Sequence, residues 1–336
     1  MKKRILLGIA LFMLLLTAFI AWQIFGPTIK PPQGKYLYVR TGATFEELVK
    51  QLEEDTIVRN GSWFRRASKL IGYTQVRPGK YEITKGMSVA DLVRMLRNGR
   101  QTPVSFVVTK IRTREVLASR IGKAFECDSL EMIRFLNSPD SLNAYGLDTN
   151  TAMAAVMPLT YTLRWNSTAR KVFEQFHTAW KKFWTEERRR KADSLGLSIT
   201  QVSTLASIID EETNAPSDRP NIASVYLNRI AKGMPLQADP TVKFALREFG
   251  LRRIYQAHTR FESPYNTYTT KGLPPGPICT PAEATIDAVL NAPKTEYLYF
   301  VASPKFDGTH VFTTNYKDHL KEARIYQQEL NKRNVK

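Results

Sequence analysis

The sequence predicts an α+β protein carried on an N-terminal transmembrane helix, with a small strand–helix module after it and a mixed helical and β region to the end. Three observations predict this. An uncharged apolar run opens the chain, and a strand–turn–helix pattern returns 44 positions on, from Thr44 to Ser88. Apolar stripes at helical spacing then give way to strand-like segments near the C-terminus.

Met1-Lys2-Lys3-Arg4 precedes Ile5–Phe25, a stretch without charge. At about 1.5 Å per residue this run matches the roughly 30 Å hydrocarbon core of a bilayer. It carries no A-x-A-like cleavage site, and Trp22 suits a membrane interface. Residues 5–25 are therefore expected to be an uncleaved single-pass anchor, a cleaved signal being the alternative. The basic cluster makes residues 1–4 a cytoplasmic tail and places the chain from about Lys30 outside the cell (inner) membrane.

That placement governs the reading of charge. Lys and Arg number 49 against 31 Asp and Glu, a net +18. In a cytosolic chain this would point to nucleic acid. Outside the membrane it points to anionic lipid or an acidic wall polymer, with no nucleic-acid partner. A solvated basic surface competes with both, and Trp184–Lys191 reads as such an exposed helix face. With 43% hydrophobic residues the chain is not a disordered one. Two cysteines, Cys127 and Cys279, and four histidines without an HExxH exclude a disulfide scaffold and a histidine-rich metalloenzyme. No metal and no organic cofactor is expected.

Residues 30–104 form the predicted module. After Pro31-Pro32-Gln33-Gly34 comes a strand, Tyr36–Val39, a Thr41-Gly42 turn, and a helix with Thr44 and Glu47 as a capping box. Phe45, Leu48, Val49 and Leu52 mark its buried face. The second copy has the strand Tyr81-Glu82-Ile83, Gly86, the cap Ser88 with Asp91, and the stripe Val89, Leu92, Val93 and Leu96. The module resembles LysM, a glycan-binding module; a spacer between membrane and enzyme is the other reading.

Residues 105–194 read as a strand, Ser105–Val108, followed by a helical connecting region. Leu117, Ile121 and Phe125 form one stripe, and Phe173, Phe176, Trp180 and Phe183 another; both are expected in the core.

The chemistry is expected in residues 195–336. In a helix over Thr200–Thr213, Val202, Leu205, Ala206 and Ile209 share an apolar face. Glu212 continues that face, while Asp210 and Glu211 turn away from it. A carboxyl at the end of an apolar stripe is desolvated, which raises its pKa toward the range of a general acid. A buried glutamate neutralised by Arg219 or Arg229 is the competing reading. A second helix from Asp218 ends before Gly233. Downstream loops rich in Asn, Gln, Thr, Tyr and Pro suit sugar recognition, with amides and hydroxyls for polar groups and rings for sugar faces.

At this point the chain resembles the YceG-like endolytic murein transglycosylase (MltG) family. The resemblance rests on Leu205-Ala-Ser-Ile-Ile-Asp-Glu-Glu-Thr213, Ala223-Ser-Val-Tyr-Leu-Asn-Arg229, Leu236-Gln-Ala-Asp-Pro-Thr-Val242, Tyr265-Asn-Thr-Tyr268 and Gly272-Leu-Pro-Pro-Gly-Pro-Ile278. The family pattern at the active helix is Glu-x-Glu-Thr with the second glutamate catalytic; here Asp210 stands first and Glu212 second. The family's Pro-Asp-Thr-Tyr reads Pro158-Leu159-Thr160-Tyr161, without the acid. The resemblance implies a peptidoglycan lytic transglycosylase. It would cleave the β-1,4 bond from N-acetylmuramic acid to N-acetylglucosamine and close a 1,6-anhydro ring, beside membrane-bound peptidoglycan synthases. Glu212 is then the catalytic acid and base, with Gln237, Asn266, Thr267 and Tyr268 as substrate-binding residues. Asp239 joins that set as the nearest second acid, although Pro240 behind it favours a turn. A hydrolytic muramidase and a non-catalytic wall-binding anchor remain the alternatives.

Overall fold

Uninterrupted apolar residues make the first element. In the computed structural model, which describes residues 2–333, α1 runs Lys2–Phe25. Among the described residues it is the one helix long and apolar enough to cross a membrane, a single-pass anchor or signal by length and composition.

The chain divides into two compact units. The first holds everything up to Ser105, together with Ala124–Cys127 and Thr162–Thr168. Its elements are α1, β1 (Tyr36–Val39), α2 (Phe45–Glu54), α3 (Gly61–Ile71), β2 (Gly79–Glu82) and α4 (Val89–Asn98). β1 and β2 pair antiparallel, Tyr36 opposite Glu82 and Val39 opposite Gly79. Both expected capping boxes form: Thr44 with Glu47 starts α2, and Ser88 with Asp91 starts α4. The turns ahead of them place Gly42 and Gly86 at φ 84° and 88°, a region open to glycine at little cost. Leu48, Val49, Leu52, Val89, Leu92, Val93 and Leu96 meet in one core. β2 starts two residues before the expected Tyr81. The sequence reading assigned no helix to α3, which adds Phe64 and Ala67 to the same core. Replacing Ser88 by Ala removes an acceptor for the Asp91 N–H, and urea unfolding is expected to show a loss of about 1 kcal/mol.

The second unit comprises Phe106–Lys123, Asp128–Tyr161 and the chain from Ala169 onward. The chain passes between the units within β3 (Val104–Val107) and within β4 (Thr160–Leu163). The helices are α5 (Arg114–Ala124), α6 (Ser129–Leu136), α7 (Pro139–Asn143), α8 (Ala169–Phe183), α9 (Glu186–Ser194), α10 (Ile199–Glu212), α11 (Arg219–Ala231), α12 (Asp239–Leu246), α13 (Gln256–Thr259) and α14 (Glu283–Leu290). A hairpin of β5 (Tyr299–Ala302) and β6 (His310–Thr313) precedes α15 (Tyr316–Lys332). Both expected aromatic and aliphatic stripes are buried.

The helices on either side of residues 194 and 195 lie in the same unit, where α9 packs on α10 and α14. One expectation is corrected here: Trp184–Lys191 is not merely a solvated face, since Trp184 is buried and Arg188 makes a two-pronged ion pair with Asp287, at 2.7 and 2.9 Å.

α10 is the pivot of this unit. It was expected to bury one face, yet every residue from Val202 to Asp210 is buried, since α11, α12 and α14 all pack around it. Its hydroxyls are satisfied within: Ser203 donates to Ile199 O, Thr204 to Thr200 O and Ser207 to Thr204 O. Ser207 Oγ also accepts the Ile278 N–H, which ties the Pro-rich loop to the helix.

Candidate active site

Three consecutive carboxylates end α10, and each meets a different environment. Asp210, 5% exposed, accepts the Ala282 N–H at 2.7 Å and the Thr285 hydroxyl, and so anchors the start of α14. Arg219 approaches it at 3.6 Å. Glu211 receives a two-pronged contact from Arg112, with Lys110 at 3.6 Å. Glu212 accepts a 2.8 Å hydrogen bond from the Tyr226 hydroxyl on α11. Asp210 turns from the Glu212 side, as the spacing required, and reaches α14.

The competing reading of Glu212 as half of an ion pair does not hold. Arg219 serves Asp210, and the buried Arg229 donates to the carbonyls of Leu298 and Leu236, at 2.7 and 2.6 Å. Burial raises the Glu212 pKa to about 7; the nearby Asp239 adds to the rise, while the Tyr226 hydrogen bond and the charges of Lys243 and Arg229 oppose it. A carboxyl group there is half protonated at neutral pH and can give or take a proton with little driving-force penalty.

The side chain is half-buried because it borders two openings. One cleft, of about 320 Å³, is lined by Glu212, Tyr226, Gln237, Asp239, Tyr268 and Tyr299 among others. The second, of about 360 Å³, passes Thr213, Ser303, Phe306, His310 and Tyr326. Behind the His310 of this second cleft, Asp218 fixes the hairpin by accepting both the backbone N–H and the ring Nδ1 contact of His310, at 2.7 and 2.9 Å.

The sequence-derived residues separate into wall and support. Gln237 is exposed in the first cleft with φ 54°, a strained backbone held by its N–H bond to Thr267 O. Asp239 opens α12 and accepts the Tyr268 hydroxyl at 2.6 Å; burial and that carboxylate push the phenol pKa up. Asn266 and Thr267 do not line the cleft. They are 0% and 1% exposed, and their polar atoms serve the backbone: Asn266 Oδ1 accepts the Tyr268 N–H, and Thr267 Oγ1 accepts the Ala238 N–H. The loop they brace presents Gln237, Asp239 and Tyr268.

Other residues of the cleft went unassigned in the sequence reading. Tyr226 stands on α11 with the buried Ile222 and Val225, and a buried phenol needs a partner for its hydroxyl; that need was the available signal. Tyr299, Tyr316 and His319 come together only when β5 meets α15, the His319 ring stacking on Tyr299 at 5.3 Å. Burial and Arg229 lower the His319 pKa. Asn228 donates to Thr295 O and Tyr297 O, a supporting role for the strand. Cys279 is buried beside Ser207 O, and burial pushes its thiol pKa far up, away from nucleophile chemistry.

The YceG-like family model matches residues 37–325. An endolytic murein transglycosylase of Bacillus subtilis (strain 168) is 28% identical over 309 residues, covering 86% of this chain and 83% of that protein. A protein of the same name from Streptococcus pneumoniae (strain D39) is 26% identical over 355 residues; the match takes in 94% of this chain and 64% of the pneumococcal one, less than two thirds of its length. Among solved structures, a yceG-like protein from Listeria monocytogenes superimposes with a TM-score of 0.58 at 26% identity, covering 86% of this chain and 99% of that chain.

Proposed function

The chain belongs to the YceG-like family, and we propose that it is a peptidoglycan lytic transglycosylase with Glu212 as its acid and base. The observation that carries this reading is the Glu212 carboxyl itself: raised to about 7, held by Tyr226 and bordering two clefts. Protonated Glu212 donates to the glycosidic oxygen between N-acetylmuramic acid and N-acetylglucosamine as that bond breaks. The resulting carboxylate takes the proton of the muramyl 6-hydroxyl, whose oxygen closes the 1,6-anhydro ring. The proton count returns to its start. An internal hydroxyl replaces both the activated water and the second carboxylate of an ordinary glycosidase.

Gln237, Asp239 and Tyr268 then contact glycan, and Asn266 and Thr267 hold their loop. α1 anchors the enzyme with residues 1–4 in the cytoplasm, residues 30–104 act as the LysM-like module, and residues 195–336 carry the chemistry on nascent strands beside the synthases. Asp239 in the same cleft favours one second reading, a hydrolytic muramidase in which it helps a water. Mass spectrometry of digested peptidoglycan separates them: anhydro-muramyl ends support the lytic reaction, and reducing ends replace it with hydrolysis.

Because the donor must be protonated, kcat/KM for glycan cleavage is expected to fall about tenfold per pH unit above about 7. Tyr226→Phe removes an interaction that favours the carboxylate, so the falling limb should move to higher pH. A limb that stays in place in this variant would separate Tyr226 from the titration. Stability has the same origin. The Glu212 pKa is raised above its ordinary 4.5, so its favourable contribution is complete below 4.5 and is lost as pH rises to about 7. Urea midpoints of wild type should decline across that window, by an amount on the order of 2–3 kcal/mol, and those of Glu212→Gln should decline less.

A further inference from the structure

A separate pocket, of about 210 Å³, is lined by residues adjoining those of the first Glu212 cleft. Arg112, Glu211, Lys243, Phe244 and Phe249 line it. Consecutive residues therefore face the two spaces, Glu211 the pocket and Glu212 the cleft. α12 does the same one turn apart: Asp239 faces the cleft and Lys243 the pocket, about 6 Å further along the helix.

Its charge is not balanced. Lys110 and Arg112 share the single carboxylate of Glu211. Lys243 is half-buried and, among the described residues, has no carboxylate within ion-pair distance. Phe244 and Phe249, 6.2 Å apart, give the pocket an apolar wall, with Arg112 over the Phe249 ring at 5.4 Å. An adjoining pocket of about 80 Å³ shares Arg112 and Phe244 and adds Arg114 and Arg247. The volume is below the roughly 300 Å³ at which ordinary ligand sites begin, too small for a disaccharide and right for one or two amino-acid residues. Cations beside aromatic rings bind a carboxylate on a short aliphatic stem.

We propose that this pocket binds a carboxylate of the peptide attached to the muramyl lactyl group, with Lys243 as its principal cation; the assignment rests on the Glu212 cleft being the glycan site. N-acetylated sugar rings are neutral, so the acidic peptide is the part of the substrate that matches this charge. Lys243 is a substrate-positioning residue that discriminates peptide-bearing strands from bare ones.

The test is equilibrium binding to the full chain in detergent. N-acetylmuramyl-pentapeptide is the probe, compared with the same compound with its carboxylates amidated. Neither holds the bond that the enzyme would cut, so binding is read whatever the enzyme does to strands. Wild type is expected to bind the acid form about tenfold more tightly, Lys243→Gln to bind both forms alike, and Lys243→Arg to keep most of the preference. The proposal falls if wild type does not discriminate, or if Lys243→Gln weakens both forms equally. It also falls if glycerol phosphate competes as well as the peptide acid does, which would make the pocket a general anion site. Absence of strand cleavage by wild type, with the binding preference intact, would overturn the lytic reading and leave the pocket assigned.

Discussion

Glu212→Gln is expected to lower glycan-strand cleavage by roughly 10²- to 10⁴-fold, the range that a positioned proton donor contributes. Gln keeps the shape and can still accept the Tyr226 hydroxyl, so the cleft should survive intact. What is lost is a group that can part with a proton near neutrality. Digestion of purified peptidoglycan by wild type and variant, read by mass spectrometry, is the measurement. Anhydro ends from wild type alone are the expected result; equal cleavage by both would remove Glu212 from the chemistry. Sacculus binding retained by both proteins without any cleavage would favour a wall-binding anchor instead.

Asp210→Ala is expected to cost about 3–5 kcal/mol, the range for breaking a buried ionic contact by removing one partner. The Ala282 N–H and the Thr285 hydroxyl lose their acceptor, and the Arg219 guanidinium loses its ion-pair partner. Asp210→Asn keeps one acceptor oxygen and should cost about 1–2 kcal/mol, near the value of a single buried hydrogen bond. Urea midpoints decide the matter, and a loss under about 1 kcal/mol for Asp210→Ala would show that α14 holds its place without this carboxylate. Activity should fall with stability here, because α14 packs on α10 and α10 carries Glu212.

Local chemistry made much of this legible in advance. Both capping boxes, the glycine turns at Gly42 and Gly86, and the buried stripes follow from spacing alone, and so does the turning of Asp210 away from the Glu212 side. Residues whose role depends on distant chain segments were hidden. Asn266 and Thr267 have sugar-binding chemistry in sequence, but their burial beneath Tyr268 and Gln237 is set by contacts with Thr259, Phe261 and Thr241. Asp210 turns from the Glu212 side as its spacing required, but its partners were hidden, since Ala282 and Thr285 lie more than seventy residues downstream. α3 escaped because Trp63, Phe64 and Ala67 offer a short stripe with charges between. The packing of α9 on α14, where Arg188 meets Asp287, is again a contact between distant chain segments.

The three acids that close α10 have a consequence for how this stretch of chain can change over generations. An α-helix turns about 100° per residue, so neighbours on it point in unrelated directions. Inserting one residue upstream in α10 would rotate the trio by that angle, and deleting one would rotate it the other way. After an insertion the strut for α14 would swing toward Arg112, the Arg112 partner toward Tyr226, and Glu212 out of its cleft. Exchanging one side chain injures one function, whereas a single-codon indel would scramble all three. The length of α10 is therefore expected to be far less variable than its composition.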